Sequence, residues 1–230
     1  MSRFAIYYAP FSRDPLWQFG TDILGYDAAT GLDAPVTPLA GLNAMGWAAL
    51  TDEPRRYGFH ATLKAPFELA AGRTSSSLVA AVEAFAAAHR PVVLDGLAVS
   101  NIGRFVALVP VGPTAALESF AYEVVKAFEP FRAPLGAADR ARRAKDGQLS
   151  ARQTELLDRY GYPYVAEQFR FHMTLTGSLD PTLQPAIQAA LARRYAETVP
   201  AGLRAIDRLA IFEQPSRDSR FHIIAAVPLG

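Results

Sequence analysis

RYGFHATLKAPF (residues 56–67) is matched later in the chain by FRFHMTLTGS (169–178), and that match sets what to expect of everything around it. Both segments alternate apolar and polar residues with the two-residue period of a half-buried strand. In the first, Phe59, Ala61, Leu63 and Ala65 fall on one face and His60, Thr62 and Lys64 on the other. In the second, Phe169, Phe171, Met173 and Leu175 oppose Arg170, His172, Thr174 and Thr176. The apolar faces can pack under helices. The polar faces hold too many donors and acceptors for a dry core, so they are expected to look into solvent or a cleft.

Working outward, each segment is followed by the same series. After the first come a helix over 77–89, a strand over 92–99 and a strand over 105–111; after the second, a helix over 181–197 capped by Asp180, then strands over 203–212 and 221–227. The last strand of each series starts at an Arg-Phe pair, Arg104-Phe105 and Arg220-Phe221. The intervals from histidine to that arginine are 44 and 48 residues. This is an internal repeat. It predicts an α+β fold of two antiparallel sheet-and-helix lobes, approximately 1–112 and 113–230, related by a pseudo-twofold axis around a central cleft.

The remaining signals are local. FAIYYA (4–9) reads as a strand ended by Pro10. Asp14, Pro15 and Gly25 bracket a helix. Residues 115–128 and 150–160 read as helices, and 27–55 as a long loop or irregular insertion. Half of the 230 residues are hydrophobic and a fifth are charged, which excludes wholesale disorder. The absence of cysteine excludes thiolate metal sites, disulfides and a cysteine nucleophile. A net charge of +1 gives no global footprint for nucleic acid or an anionic membrane. With no signal-peptide pattern and no apolar run of spanning length, a soluble cytoplasmic protein is expected, without a membrane partner. The oligomeric state is not legible.

Two imidazoles on opposite walls of one cleft can serve as general base and general acid, because histidine holds either protonation state near neutral pH. The threonine two residues on, Thr62 or Thr174, points the same way and can donate to a phosphate oxygen between the walls. Such a site suits phosphodiester cleavage and needs no cofactor or metal. The four histidines, at 60, 89, 172 and 222, form no metal-binding spacing. His89 is placed at a helix end, and His222 lacks a threonine two places on.

On the pair His60-Ala61-Thr62-Leu63 and His172-Met173-Thr174-Leu175, the chain resembles the two-histidine (2H, LigT-like) phosphoesterases. The fuller strings 56–67, FRAPL (131–135) and GYPYVAEQFRFHMTLTG (161–177) resemble the branch encoded beside bacterial phosphonate-utilisation genes. The resemblance runs nearly end to end. It implies a bilobed fold with a V-shaped cleft and metal-independent hydrolysis of a cyclic phosphate or phosphodiester.

Further residues are assigned around that centre. Lys64, on the expected cleft face, would bring positive charge to a phosphate, and Thr176 is its counterpart on the second strand. Tyr57 and Tyr164, just outside the two strands, could stack on a base or sugar. The basic segment from Arg132 to Lys145, with Arg140, Arg142 and Arg143, is read either as a solvated helix face or as an anion-collecting flap. The partner expected is a small phosphorylated substrate. RNA end processing at 2′,3′-cyclic or 2′,5′ linkages is the disfavoured alternative, since the charge is near neutral. A third reading is a module that binds a phosphorylated metabolite without turning it over.

Overall fold

The computed structural model describes residues 2–144 and 148–230. Seven strands form one sheet: β1 (Arg3–Tyr8), β4 (Ala61–Phe67), β6 (Gly96–Ile102), β7 (Phe105–Val111), β8 (Met173–Thr174), β10 (Arg208–Gln214) and β11 (His222–Pro228). Their order is β11-β10-β1-β4-β8-β7-β6, with antiparallel pairing throughout. Two small ribbons complete the strands: β2 (Tyr26–Asp27) with β3 (Leu32–Asp33), and β5 (Val92–Leu94) with β9 (Arg204–Ile206). The α+β class with antiparallel sheet is therefore present.

The two rounds of the repeat are present too, but their hairpins are exchanged. Hairpin β6–β7 belongs to the first round in sequence and pairs with β8 of the second; hairpin β10–β11 of the second round pairs with β1, next to β4. The sheet's halves therefore do not correspond to 1–112 and 113–230. β4 and β8 lie side by side at the centre, with Ala61 opposite Met173. Ribbon β5–β9 joins equivalent strands of the two rounds.

Helices cover one face. α3 (Ser75–Ala87) packs on β10 and β11, α4 (Ala115–Ala127) on β4, and α7 (Gln184–Thr198) on β6 and β7. Thr74 and Ser77 form a capping box at α3. α7 begins three residues later than its Pro181 signal, because Asp180 caps a turn through the Thr182 N–H instead. α1 (Pro15–Leu24) obeys its signals: the Asp14 carboxylate accepts from Leu16 N–H, and Gly25 ends the helix at φ 69°. Phe59, beside the first histidine, abuts α1 so closely that a Cβ on Gly20 would lie 2.0 Å from its ring.

Residues 27–55 are more ordered than their composition implies. They hold β2–β3 and a helix, α2 (Ala44–Arg55), anchored by the fully buried Trp47, whose indole N–H donates to the Ile23 carbonyl at 2.9 Å. α5 (Ala137–Ala144) and α6 (Ala151–Tyr160) follow α4. The expected strands over 92–99 and 203–212 are each split in two, with Asp95 and Asp207 at the breaks. Among the described residues, no helix is long and apolar enough to cross a membrane.

Candidate active site

The pairing of Ala61 with Met173 determines the site. One residue either way along this antiparallel register, His60 faces Thr174 and Thr62 faces His172. Directly opposed side chains share a face and stand about 4.5–5.5 Å apart at Cβ. The two His-x-Thr units thus form a compact, pseudo-symmetric quartet. They occupy adjacent central strands rather than opposite walls, and all four residues line one cavity of about 850 Å³.

Each imidazole is oriented in the same way. His60 Nδ1–H donates to the Gly58 carbonyl at 2.9 Å, and His172 Nδ1–H donates to the Arg170 carbonyl at 2.8 Å. A carbonyl only accepts, so Nδ1 carries the hydrogen and Nε2 of the neutral ring keeps a free lone pair. Gly58 sits at φ 75°, and a Cβ there would strike Ala28 at 2.6 Å. Only glycine fits this turn that brings its carbonyl under His60.

The surroundings of the two rings differ. His60 stacks on Tyr7 (centroids 3.8 Å apart, planes 20°) and is bordered by Phe212; the Thr62 hydroxyl lies 3.2 Å from its Nε2. His172 has a tilted Phe105 at 5.7 Å, and the Thr174 hydroxyl has no hydrogen bond among the described residues. Burial holds the His60 pKa at about 4, assisted by the charge of His172 and opposed by the Gly58 carbonyl. Burial lowers that of His172 as well, opposed by the Arg170 carbonyl.

Several expected residues are elsewhere. Lys64 does not face the cavity. Tyr7 is opposite Thr62 while Ile6 is opposite Lys64, so β4 gains an extra residue at Leu63. This bulge reverses the alternation. Lys64 turns to the helix side, 3% exposed, where its Nζ donates to the Val125 carbonyl and pairs with Glu129 at 2.8 Å. Arg132 is not at the cavity either: it is half-buried on the other side of Glu129 and also bonds the Arg159 carbonyl. Thr176 borders the cavity, but its hydroxyl is committed. It accepts from Val106 N–H at 3.0 Å and donates to the Gly177 carbonyl at 2.9 Å. That side-chain bond replaces a ladder bond, which is one reason the strand expected over 169–178 shrinks to Met173–Thr174.

Tyr57 and Tyr164 line the cavity; Tyr57 already stacks on Phe221 (5.3 Å), and Tyr164 meets Tyr162 edge-on at 5.5 Å. The basic segment divides. Arg142 and Arg143 reach the cavity from α5, Arg140 pairs with Asp158 at 2.7 Å on the solvent side, and Lys145 lies outside the described residues. His89 and His222 do not line the cavity. Sequence reasoning missed Tyr7 and Arg3 as cavity residues, although Arg3, Ala5 and Tyr7 alternate onto one face of β1. It also left Arg170 unassigned; this arginine is exposed, lines the cavity, and has no side-chain partner among the described residues. No three His, Asp or Glu side chains converge as metal ligands among the described residues.

Fold and site together define an α+β protein with paired His-x-Thr units on neighbouring strands of one cavity. The chain belongs to the family described as "Protein of unknown function (DUF1045)", whose model matches residues 62–222. It is 39% identical over 214 residues, 92% of this chain and 47% of the relative, to ribose 1,5-bisphosphate phosphokinase PhnN of Janthinobacterium sp. (strain Marseille). It is 35% identical over 225 residues, 98% of this chain and 51% of the relative, to the protein of the same name from Laribacter hongkongensis (strain HLHK9). The chain thus spans about half the length of these curated relatives. Among solved structures it is similar to a crystal structure of a phosphoesterase (TM-score 0.40, 13% identity, covering 100% of this chain and 99% of the other). It is also similar to Kluyveromyces marxianus Usb1 (TM-score 0.34, 12% identity, covering 99% and 97%).

Proposed function

We propose that this protein is a phosphoesterase that hydrolyses a small cyclic phosphate or nucleotide-like phosphodiester with two histidines and without a metal. The observation that carries this reading is the cross-strand quartet, in which both imidazoles fix Nδ1–H on a carbonyl and keep Nε2 for the cavity. His60, whose pKa of about 4 leaves it neutral at physiological pH, is the base. It takes a proton from water as the water oxygen bonds to phosphorus. His172, the less strongly shifted of the two, is the acid and protonates the leaving alkoxide as its bond to phosphorus breaks. Thr62 and Thr174 donate to the non-bridging oxygens, whose negative charge raises the proton affinity of both rings once substrate is bound. Proton exchange with solvent restores the starting state.

The relatives' name refers to a ribose bisphosphate and a kinase reaction. This chain has no Gly-x4-Gly-Lys-Ser/Thr run, the usual cradle for a nucleotide's phosphates. What transfers to the proposal is the ligand class, a phosphorylated pentose. This agrees with the cyclic phosphate that the phosphonate-linked resemblance implies. Phosphorus NMR of a ribose cyclic phosphate and a 2′,3′-cyclic nucleotide, each incubated with the protein in EDTA, tests the reading. Conversion of either to a phosphomonoester is expected. No conversion, or conversion that EDTA abolishes and zinc or manganese restores, overturns it.

A further inference from the structure

Three of the arginines that line the cavity, Arg3, Arg142 and Arg143, lie together at one end. Arg3 opens β1, four residues before the Tyr7 that stacks on His60, a backbone distance of about 13 Å at ~3.3 Å per residue. Its Nε–H donates to Gln214 Oε1 at 2.8 Å, and its guanidinium lies over Phe221 at 5.4 Å. Arg143 extends from α5 and donates to the carbonyls of Pro66 and Gly161. All these partners are neutral. Among the described residues, neither arginine has a carboxylate. The two are close enough to repel each other, and Arg142 and Arg217 add to that repulsion. The carboxylates here, Asp139 and Glu68, are taken by Arg142 and Arg217. A guanidinium cannot escape its charge by deprotonating, and burying it uncompensated is unfavourable. Two partly buried guanidiniums held rigidly by neutral acceptors, with N–H groups left over, are prepared for an anion from outside. The opposite end, at Ile102 and Phe105, is bordered by Glu53 beside Gly177, which disfavours a phosphate there.

We infer that the substrate carries a second, terminal phosphate, bound by Arg3 and Arg143 while the reacting phosphate lies at the histidines. This deepens the phosphoesterase reading and rests on it for the position of the first phosphate. The gap between the two sites, shortened by the reach of the arginines, suits opposite ends of a sugar rather than one phosphate group. The volume of about 850 Å³ likewise exceeds what a lone cyclic phosphate fills. The charge imbalance also fixes orientation, with the phosphorylated end of the sugar toward β1 and the remainder toward β7.

Calorimetric titration of the full chain with ribose 1,5-bisphosphate and with ribose 1-phosphate, which lacks the terminal phosphate, tests the inference. The bisphosphate is expected to bind about tenfold tighter or better, the scale of one charge-assisted fork. Arg143→Gln and Arg3→Gln should each reduce that preference severalfold, while Arg140→Gln, on the solvent side of the same helix, should leave it unchanged. Two variants are needed because Arg143 also ties Pro66 to Gly161; circular dichroism confirms that each is folded. Equal affinity for the two ligands, no binding of either, or a preference unchanged in both arginine variants overturns the second site. Hydrolysis of a cyclic phosphate without such a preference sinks this inference alone. A preference without hydrolysis of any cyclic ester sinks the reaction alone.

Discussion

The two His-x-Thr units are alike in design and unlike in support. His60 precedes a seven-residue strand paired on both sides, lies on Tyr7, and receives the Thr62 hydroxyl. His172 precedes a two-residue strand, meets Phe105 at an angle, and leaves the Thr174 hydroxyl without a hydrogen bond among the described residues. Repetition supplied the geometry, namely two rings with Nε2 in one cavity. On the proposed reading, divergence of the neighbours assigns the roles, because groups with different proton affinities are readily held as one base and one acid. A symmetric pair would share one affinity and serve poorly as base and acid together.

The strongest test removes one member at a time. His60→Ala and His172→Ala should each lower kcat by roughly 10²–10⁴-fold, the scale of a positioned base or acid. The double variant should fall little further, because the pair acts as a unit. The two single variants should differ in pH profile. Loss of the base removes the acidic limb of the kcat/KM bell, and loss of the acid removes the alkaline limb. Since both rings are shifted below 6.5, the bell in kcat/KM should be centred on the acidic side of neutrality. If either variant keeps its full bell, the division of roles is wrong.

The positions four residues after each histidine sharpen the comparison. Lys64 and Thr176 are equivalent in the repeat, and both side chains are committed to scaffold partners. Lys64 is turned away by the bulge and sits buried in a row with the half-buried Glu129 and Arg132. Thr176 supplies its hydroxyl where a carbonyl of the ladder would stand. Lys64→Met should destabilise the fold by about 3 kcal/mol, at the low end for a broken buried pair because Arg132 still compensates Glu129. Thr176→Val strands the Val106 N–H and should destabilise by about 1–3 kcal/mol. Urea denaturation measures both. The folded Lys64→Met protein should keep its kcat. A hundredfold loss of kcat at unchanged stability would return Lys64 to the substrate.

Those positions also show what a sequence can and cannot disclose here. The faces bearing His60 and His172 were legible because two-residue alternation is a local property. So was α1, whose cap and stop are Asp14 and Gly25. The bulge at Leu63 was not, since it exists only in the pairing of β4 with β1. The exchange of hairpins is likewise a matter of distant strands. α2 was hidden by Gly46 and Pro54; its order comes from Trp47 packing against α1, a tertiary contact. Arg132, Arg142 and Arg143 looked alike as a basic run. Burial next to Glu129 separates the first from the other two.

The smallest expected effect is on stability, and its sign follows from the same asymmetry. Each histidine has a lower pKa folded than unfolded, so between the two values the unfolded chain binds more protons. Stability is then full above the unfolded value of 6.5 and is lost as pH falls toward the folded one, about 4 for His60. For His60 the loss across that window is at most about 3 kcal/mol at 1.36 kcal/mol per unit, less whatever water in the cavity relieves. Denaturation midpoints between pH 7 and 4 should therefore fall, and His60→Asn should flatten the decline more than His172→Asn. Equal flattening by the two substitutions would mean that the rings are equally desolvated. The stack on Tyr7 would then have no bearing on which histidine is the base, and the division of labour would have to come from the substrate.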